Sequence, residues 1–378
     1  MSHLEESRKV FLRKIIRRYY SLKPLEEPVS LHRREIALES LEDNVYIRHI
    51  SFPYMERLYD FILNKKTPLH LYYSSAIYDN PGAEDMESKI WRGSELIFDI
   101  DADKYPGCSD EDVYICPNTG TISTEKIDKC PDGSEPVNYS PVTWDCLVKA
   151  YEGAIVLLDV LKTELGFKNI EIYFSGNRGF HVRVLDESAL LLDRDSRRLI
   201  ADYVSCSELN VESMFPTYAN RVLFGDEEYG IRGRVIKYLE STGVFNRSKI
   251  GKLVFRTAPR ESLEEALGKV CVNVDKVVTM DPSRLSRFGA SLNMKAGLKV
   301  TRIDPEKSLS DYSYEKFSPF RGEIRVKALV TTSKLRVLDQ EIELKRGDIK
   351  KFEAYIGILL VIKKLGVVVD DSNLEVIK

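Results

Sequence analysis

The chain has 378 residues, of which 43% are hydrophobic and 30% charged, a composition that excludes a disordered or fibrous protein. Its 56 basic and 59 acidic residues leave a net charge of −3, so any contact with nucleic acid has to be local rather than a property of the whole molecule. No N-terminal run has signal-peptide character, and no stretch approaches the ~18 apolar residues needed to span a bilayer, so a cytosolic chain without membrane contact is expected.

In chain order, the basic segment Arg8 to Tyr20 carries apolar residues at helical spacing and reads as a packed helix with a solvated basic face. The β-branched and aromatic runs Arg34–Leu38, Val45–Phe52, Pro68–Tyr73 and Glu95–Asp101 read as strands, with a helix over Tyr54–Leu63. Residues 104–146 form a Gly-, Pro-, Asp- and Cys-rich excursion with little apolar periodicity. A helix from about Trp144 to Leu165 stops at Gly166 and leads into the strand Ile170–Phe174. Residues 186–270 turn helical and more polar, with helices expected near Ser196–Leu209, Arg232–Ser241 and Ser262–Val270. Strands are expected at Val274–Thr279 and Gly322–Leu338, then a closing helix from about Gly347 to Leu365 that includes the buried, apolar Tyr355–Ile362. The expected fold class is mixed α/β: a core from 1–103, 147–185 and 271–378, a cysteine knuckle at 104–146 and an inserted helical region at 186–270.

Six cysteines in a long cytosolic chain argue against a disulfide framework. Four of them (Cys108, Cys116, Cys130, Cys146) fall in one short window, which points to a metal. Cys206 and Cys271 read as ordinary buried thiols.

In Phe98-Asp-Ile-Asp-Ala-Asp103 the period of a strand puts Asp99, Asp101 and Asp103 on one face, with Phe98 and Ile100 toward the core. Like charges so close need a cation between them at neutral pH, and hard oxygen ligands select Mg²⁺ or Mn²⁺. A pair of such ions serves in-line phosphoryl displacement. The bland alternative is an Asp-rich strand end opening a loop. In Tyr173-Phe-Ser-Gly-Asn-Arg-Gly-Phe-His-Val-Arg183 an apolar strand breaks at Gly176 and resumes after Gly179. The glycines permit a tight path that offers backbone amides to an anion, and Ser175, Arg178 and His181 add hydroxyl, guanidinium and imidazole donors. A hairpin turn with a buried histidine is the alternative here.

Together the two motifs resemble the archaeo-eukaryotic DNA primase small subunit of archaeal type, in which an Asp-x-Asp strand precedes a Ser-Gly-x-Arg-Gly-x-His segment. The resemblance extends through Arg34-Glu35, Tyr46–Phe52, Leu71-Tyr-Tyr73, Trp91–Leu96, Trp144-Asp-Cys146, Val274–Thr279 and Arg284-Leu-Ser-Arg287. It implies a primase-type catalytic core and template-directed transfer of nucleotides from NTPs, and also dNTPs, to make short primers on single-stranded DNA. Two ions of Mg²⁺ or Mn²⁺ would be held by Asp99, Asp101 and Asp275, with Asp281 as second choice for the third position. The triphosphate would fall to Ser175, Arg178, His181 and Arg287, and Glu35 would lie by the sugar. A primase large subunit is the implied partner, in the nucleoid-associated cytoplasm of a prokaryotic cell.

Two departures stand out. Asn293 occupies the histidine position of the family's Ser-x-His-x-Lys-Thr-Gly segment; it can donate a hydrogen bond to the nucleotide but carries no charge. Cys116-Pro-Asn-Thr and Cys130-Pro-Asp-Gly look like Cys-Pro-x-Cys hairpins that have each lost a cysteine, so a Zn²⁺ site would need Cys108, Cys116, Cys130 and Cys146, against a metal-free loop as the alternative. Asp103 reads as a loop residue beside the metal pair. A primase-like repair polymerase and a scaffold without catalysis are the other two functional readings.

Overall fold

Along Leu96–Asp101, Leu96, Phe98 and Ile100 are fully buried on one face, while the opposite face carries Ile97, buried near the strand start, and then the part-buried Asp99 and Asp101. Burying residues such as Phe98 and Ile100 contributes roughly 1.5–3 kcal/mol each, so the register that turns both aspartates outward is held by the core. In this computed structural model, which describes residues 3–108, 112–250 and 252–378, the strand edges a four-stranded antiparallel sheet. The order is Thr301–Ile303, Ile170–Phe174, Gly179–Val184, Leu96–Asp101. The helix Trp144–Thr163 packs on its apolar face through Leu147, Ala150, Ala154 and Leu161, started by the Thr143 side chain, which accepts from the Cys146 amide at 3.2 Å.

A second antiparallel sheet runs Leu285–Arg287, Pro68–Ser74, Ile36–Ser40, Tyr46–Ile50. The N-terminal helix His3–Ser21 covers its core with Leu12, Ile15, Ile16, Tyr19 and Tyr20 and turns most of its charges outward, as the spacing predicts, with Lys9 buried as the exception. Tyr19 donates to the Ala290 carbonyl at 2.7 Å, and the Tyr20 hydroxyl accepts from the Leu292 amide at 3.1 Å, so this helix also braces the chain around residue 293. A third layer pairs Phe320–Ala328 with Ile349–Glu353 and Gly366–Val376, around the helix Ala354–Ile362. That helix is buried on all sides.

The fold is mixed α/β, as expected, and three local expectations are corrected. The stretch 186–270 holds the expected helices Arg194–Ser205, Gly230–Ser241 and Glu261–Val270. It also holds a four-stranded sheet of Thr217–Tyr218, Arg221–Phe224, Leu253–Pro259 and Asn246–Ile250, with a hydrophobic cluster of its own. Residues Lys276–Met280 form a short helix rather than a strand, because the Asp275 carboxylate accepts from the Val277 and Val278 amides and caps it. Residues 349–353, expected in the closing helix, are a strand.

The cysteines depart furthest from expectation. Cys108 joins Cys146, Cys116 joins Cys130, and Cys206 joins Cys271, with Cα–Cα distances of 5.7, 5.6 and 5.5 Å. The knuckle sulfurs therefore do not converge as a four-ligand set, and Cys206 and Cys271 are not thiols. The two Cys-Pro segments that lack their second cysteines pair with each other, Cys116 at the end of the strand Val113–Cys116 and Cys130 in the loop between Thr121–Ser123 and Val137–Tyr139, and the remaining cysteine, Cys108, is tied to the start of the Trp144–Thr163 helix.

Candidate active site

In the antiparallel register between Leu96–Asp101 and Gly179–Val184, His181 lies opposite Asp99 and Gly179 opposite Asp101. Directly opposed residues share a face, so the imidazole and the Asp99 carboxylate meet, His181 Nε2 lying 3.5 Å from Asp99 Oδ1. Gly179 is required by this pairing. A Cβ there would stand 2.9 Å from Asp101 Oδ1 and collide with the Ile100 carbonyl. Gly176 has φ +75° and would place a Cβ 2.8 Å from that of Asn293, so both glycines of the turn let other parts of the site come close.

Both carboxylates face a cleft of about 520 Å³. Ser175, Arg178, His181, Arg287 and Asn293 line it too, as do Arg284, Lys295 and Lys363, which the sequence reading did not single out. Arg284 and Lys295 lie within segments of the family resemblance. Lys363 carries no local signal, since it reads only as a charge ending an apolar helix.

The electrostatics are uneven along this cleft. Burial, then the charges of Asp101 and Asp275, push the Asp99 carboxyl well above the ordinary carboxylate range, and burial is also the main cause raising Asp101. Burial, reinforced by Arg183, Arg287 and Arg284, brings His181 down to about 3, so its ring is neutral at physiological pH. Its Nδ1 is buried without a hydrogen-bond partner. Arg287 is buried with its guanidinium 4.8 Å over the Tyr72 ring and one nitrogen 3.2 Å from His70 Nδ1. Arg183 holds that strand by donating to the Arg287 carbonyl and, at 3.0 Å, to the Tyr73 hydroxyl. Arg178 pairs with Asp103 at 2.9 Å, which gives Asp103 the task of orienting that guanidinium.

Other expected site residues sit differently. The Asn293 amide donates to the Ser175 carbonyl at 2.9 Å and its oxygen accepts from the Lys295 amide at 3.1 Å, so it ties the 293–295 turn to the 175–179 turn. Asp275 donates its backbone N–H to the Asp99 carbonyl at 2.9 Å, but its carboxylate is turned to cap the helix after it. Asp281 accepts from the Ser283 amide and hydroxyl. Accordingly, among the described residues no group of three or more His, Cys, Asp or Glu side chains converges to hold a metal ion. Glu35 is buried outside the cleft lining, accepting from Arg48 at 2.9 Å, from Lys89 and from the His49 amide at 3.2 Å. It connects to the cleft through the sheet: Tyr46 packs on Tyr72, 6.0 Å between ring centroids, and Tyr72 carries Arg287.

Two acids on one strand, with guanidinium and ammonium groups across an open cleft, have the chemistry to suit a polyanionic ligand next to a carboxylate pair. Comparison with known proteins gives this class its family. The family model for the DNA primase small subunit matches residues 127–305. The DNA primase small subunit PriS of Staphylothermus marinus is 46% identical over 100% of this chain and 99% of its own length. Those of Saccharolobus islandicus and Aeropyrum pernix are 35% and 33% identical, covering 96% and 94% of this chain and 96% and 92% of their own lengths. The chain belongs to the DNA primase small subunit family. Membership makes it a polymerase-type enzyme, in general terms a nucleotidyltransferase, with a role in primer synthesis for DNA replication. Among the described residues, no helix is long and apolar enough to cross a membrane.

Proposed function

We propose that the cleft between Asp99 and Lys363 is where nucleotides from NTPs, and also dNTPs, are added to a growing primer on single-stranded DNA. The observation that carries this reading is the opposition of Asp99 and His181 within one cleft that also receives Asp101, Ser175, Arg178 and Arg287.

The Asp99 and Asp101 carboxylates suit divalent cations as hard oxygen donors, with Asp99 short of compensating charge because burial and its acidic neighbours disfavour its anion; the Asp275 carboxylate, which here caps its own helix, would have to turn to join them. Asp99 and Asp101, with Asp275, would hold Mg²⁺ or Mn²⁺. When bound, two such ions supply charge neutralisation and hydroxyl activation for an in-line displacement. The protein's own residues do the rest. Neutral His181 donates a hydrogen bond to the triphosphate without adding charge beside Asp99. Arg178, steadied by Asp103, and Arg287, steadied by the Tyr72 face, supply fixed positive charge. The Ser175 hydroxyl, which accepts from the Gly179 amide at 3.3 Å, keeps its own proton for a phosphate oxygen. Asn293 sets the turn that presents Ser175, and Glu35 acts from beneath, through Arg48 and the tyrosine pair, on the sugar side.

The relatives are named small subunits, and a large subunit is the expected partner of this chain as well. The test is primer synthesis on unprimed single-stranded DNA with Mg²⁺ or Mn²⁺, with and without that partner. Wild type should incorporate NTPs and Asp99→Ala/Asp101→Ala should not; equal behaviour of the two proteins would overturn the assignment.

A further inference from the structure

Lys363 stands at the C-terminus of the helix Ala354–Ile362, whose burial from Ala354 through Val361 fixes where it ends. Gly297 lets that helix approach the turn carrying Lys295, since a Cβ at Gly297 would lie 3.0 Å from Ile362 and 3.3 Å from Ile358. The Lys363 ammonium rests 5.3 Å over the ring of Tyr139, a residue of the knuckle wall. Lys363, Lys295 and Arg178 all line the cleft, and Arg178 is paired with Asp103. Among the described residues, neither Lys295 nor Lys363 has a carboxylate partner.

The cations thus divide into two groups. Arg284 and Arg287 act on Asp99, at the acidic end, whereas the charges acting on Lys363 are those of Lys295 and Arg178. Arg178 also acts on Asp101 and so lies between the two ends. Lys363 is half-buried and Lys295 is exposed at the same cleft; the repulsion between their charges is unfavourable unless an anion joins them. A triphosphate whose reacting phosphate lies by Asp99 and Asp101 would direct its tail to this end.

Resting on the nucleotide-transfer reading above, we propose that Lys363, with Lys295 and Arg178, seats the terminal phosphate of the incoming nucleoside triphosphate and makes the site select triphosphates over diphosphates. Lys363 is a binding residue from the C-terminal part of the chain, placed by a rigid helix and an aromatic platform rather than by the phosphate turn itself. Its ammonium is brought down to about 8 by burial first and then by Lys295 and Arg178. The groups facing it are those two cations, the Tyr139 ring and His70, whose neutral form is favoured by burial first and then by Arg287, Lys295 and Lys363 itself.

The experiment measures binding of a nucleoside triphosphate, the matching diphosphate and a single-stranded oligonucleotide to wild type, Lys363→Met and Lys363→Arg, Met keeping the apolar stem. Loss of one charge-assisted contact should weaken triphosphate binding about tenfold or more in Lys363→Met, leave diphosphate and oligonucleotide binding within about twofold, and be restored in Lys363→Arg. In wild type kcat/KM for the triphosphate should fall as pH rises through about 8, and Lys363→Arg should remove that fall. Equal effects on both nucleotides, no effect on either, or a loss of oligonucleotide binding instead would overturn the proposal. If wild type itself neither binds nor incorporates NTPs, it is the nucleotide-transfer reading that fails.

Discussion

His181 and Asp99 face each other across one antiparallel rung, 3.5 Å apart, with the histidine held neutral and the aspartate held short of its charge. Neither state suits a resting surface pair. Both follow from burial against the same sheet.

For His181 the folded state disfavours the proton, since its value near 3 lies below the ~6.5 of an unfolded histidine. Nothing is lost above pH ~6.5; below it the unfolded chain takes up a proton the folded one refuses. Wild type should therefore lose stability relative to His181→Gln as pH falls from about 6.5 to about 4, by up to about 1.4 kcal/mol per pH unit. Urea titrations of both proteins across that range check this.

Asp99 has the opposite sign. Its folded value is raised, so its contribution is best below the unfolded value of ~3.9 and is lost as pH rises through the folded one. In chelator at pH 8, Asp99→Asn should melt about 2–5 °C above wild type while failing to make primers. Added Mn²⁺ should raise the melting temperature of wild type and leave that of Asp99→Asn nearly unchanged. Thermal scans with and without the ion decide it.

Gly179→Ala tests the closeness of the rung. The added methyl would meet the Ile100 carbonyl and Asp101 Oδ1, so the strands have to part. A loss of about 1–3 kcal/mol is expected, with at least a tenfold fall in kcat because Asp101 and His181 separate. Gly268→Ala, inside the helix Glu261–Val270 where nothing lies within 4 Å, is the control that should leave kcat unchanged and stability the same or up to about 1 kcal/mol higher.

The three disulfides give a chemical prediction. Protein unfolded without reductant should show no reactive thiol, and reduction should release six. Each bridge contributes on the order of 2–4 kcal/mol, so reduction should lower the melting temperature. Four reactive thiols accompanied by about one zinc per chain would contradict the pairing in the knuckle.

Much of the site was legible because its chemistry lies in two short runs. Asp99 and Asp101 follow from the period of a strand flanked by Phe98 and Ile100, and the 175–181 turn from its glycines. The helix Trp144–Thr163 was legible from its cap, apolar stripe and closing glycine. Asp275 misled because Val277, Val278 and Thr279 are β-branched, while the deciding interaction is a side chain capping two amides. The strands at 217–259 are short and lie between strong helical patterns. Cysteine pairing depends on which chain segments meet, and Lys363 reaches the cleft from a helix 182 positions after His181; neither is a local property. Asn293 reads as a weakened ligand in sequence, yet in the structure it fastens one turn of the site to another.

The most direct measurement is anomalous diffraction from crystals grown with Mn²⁺ and a non-hydrolysable NTP. The account predicts manganese peaks bounded by the Asp99 and Asp101 carboxylates, with the triphosphate running past His181 toward Arg178 and Lys363. Manganese or nucleotide bound elsewhere on the chain, with Asp99 and Asp101 in contact with neither, would contradict it.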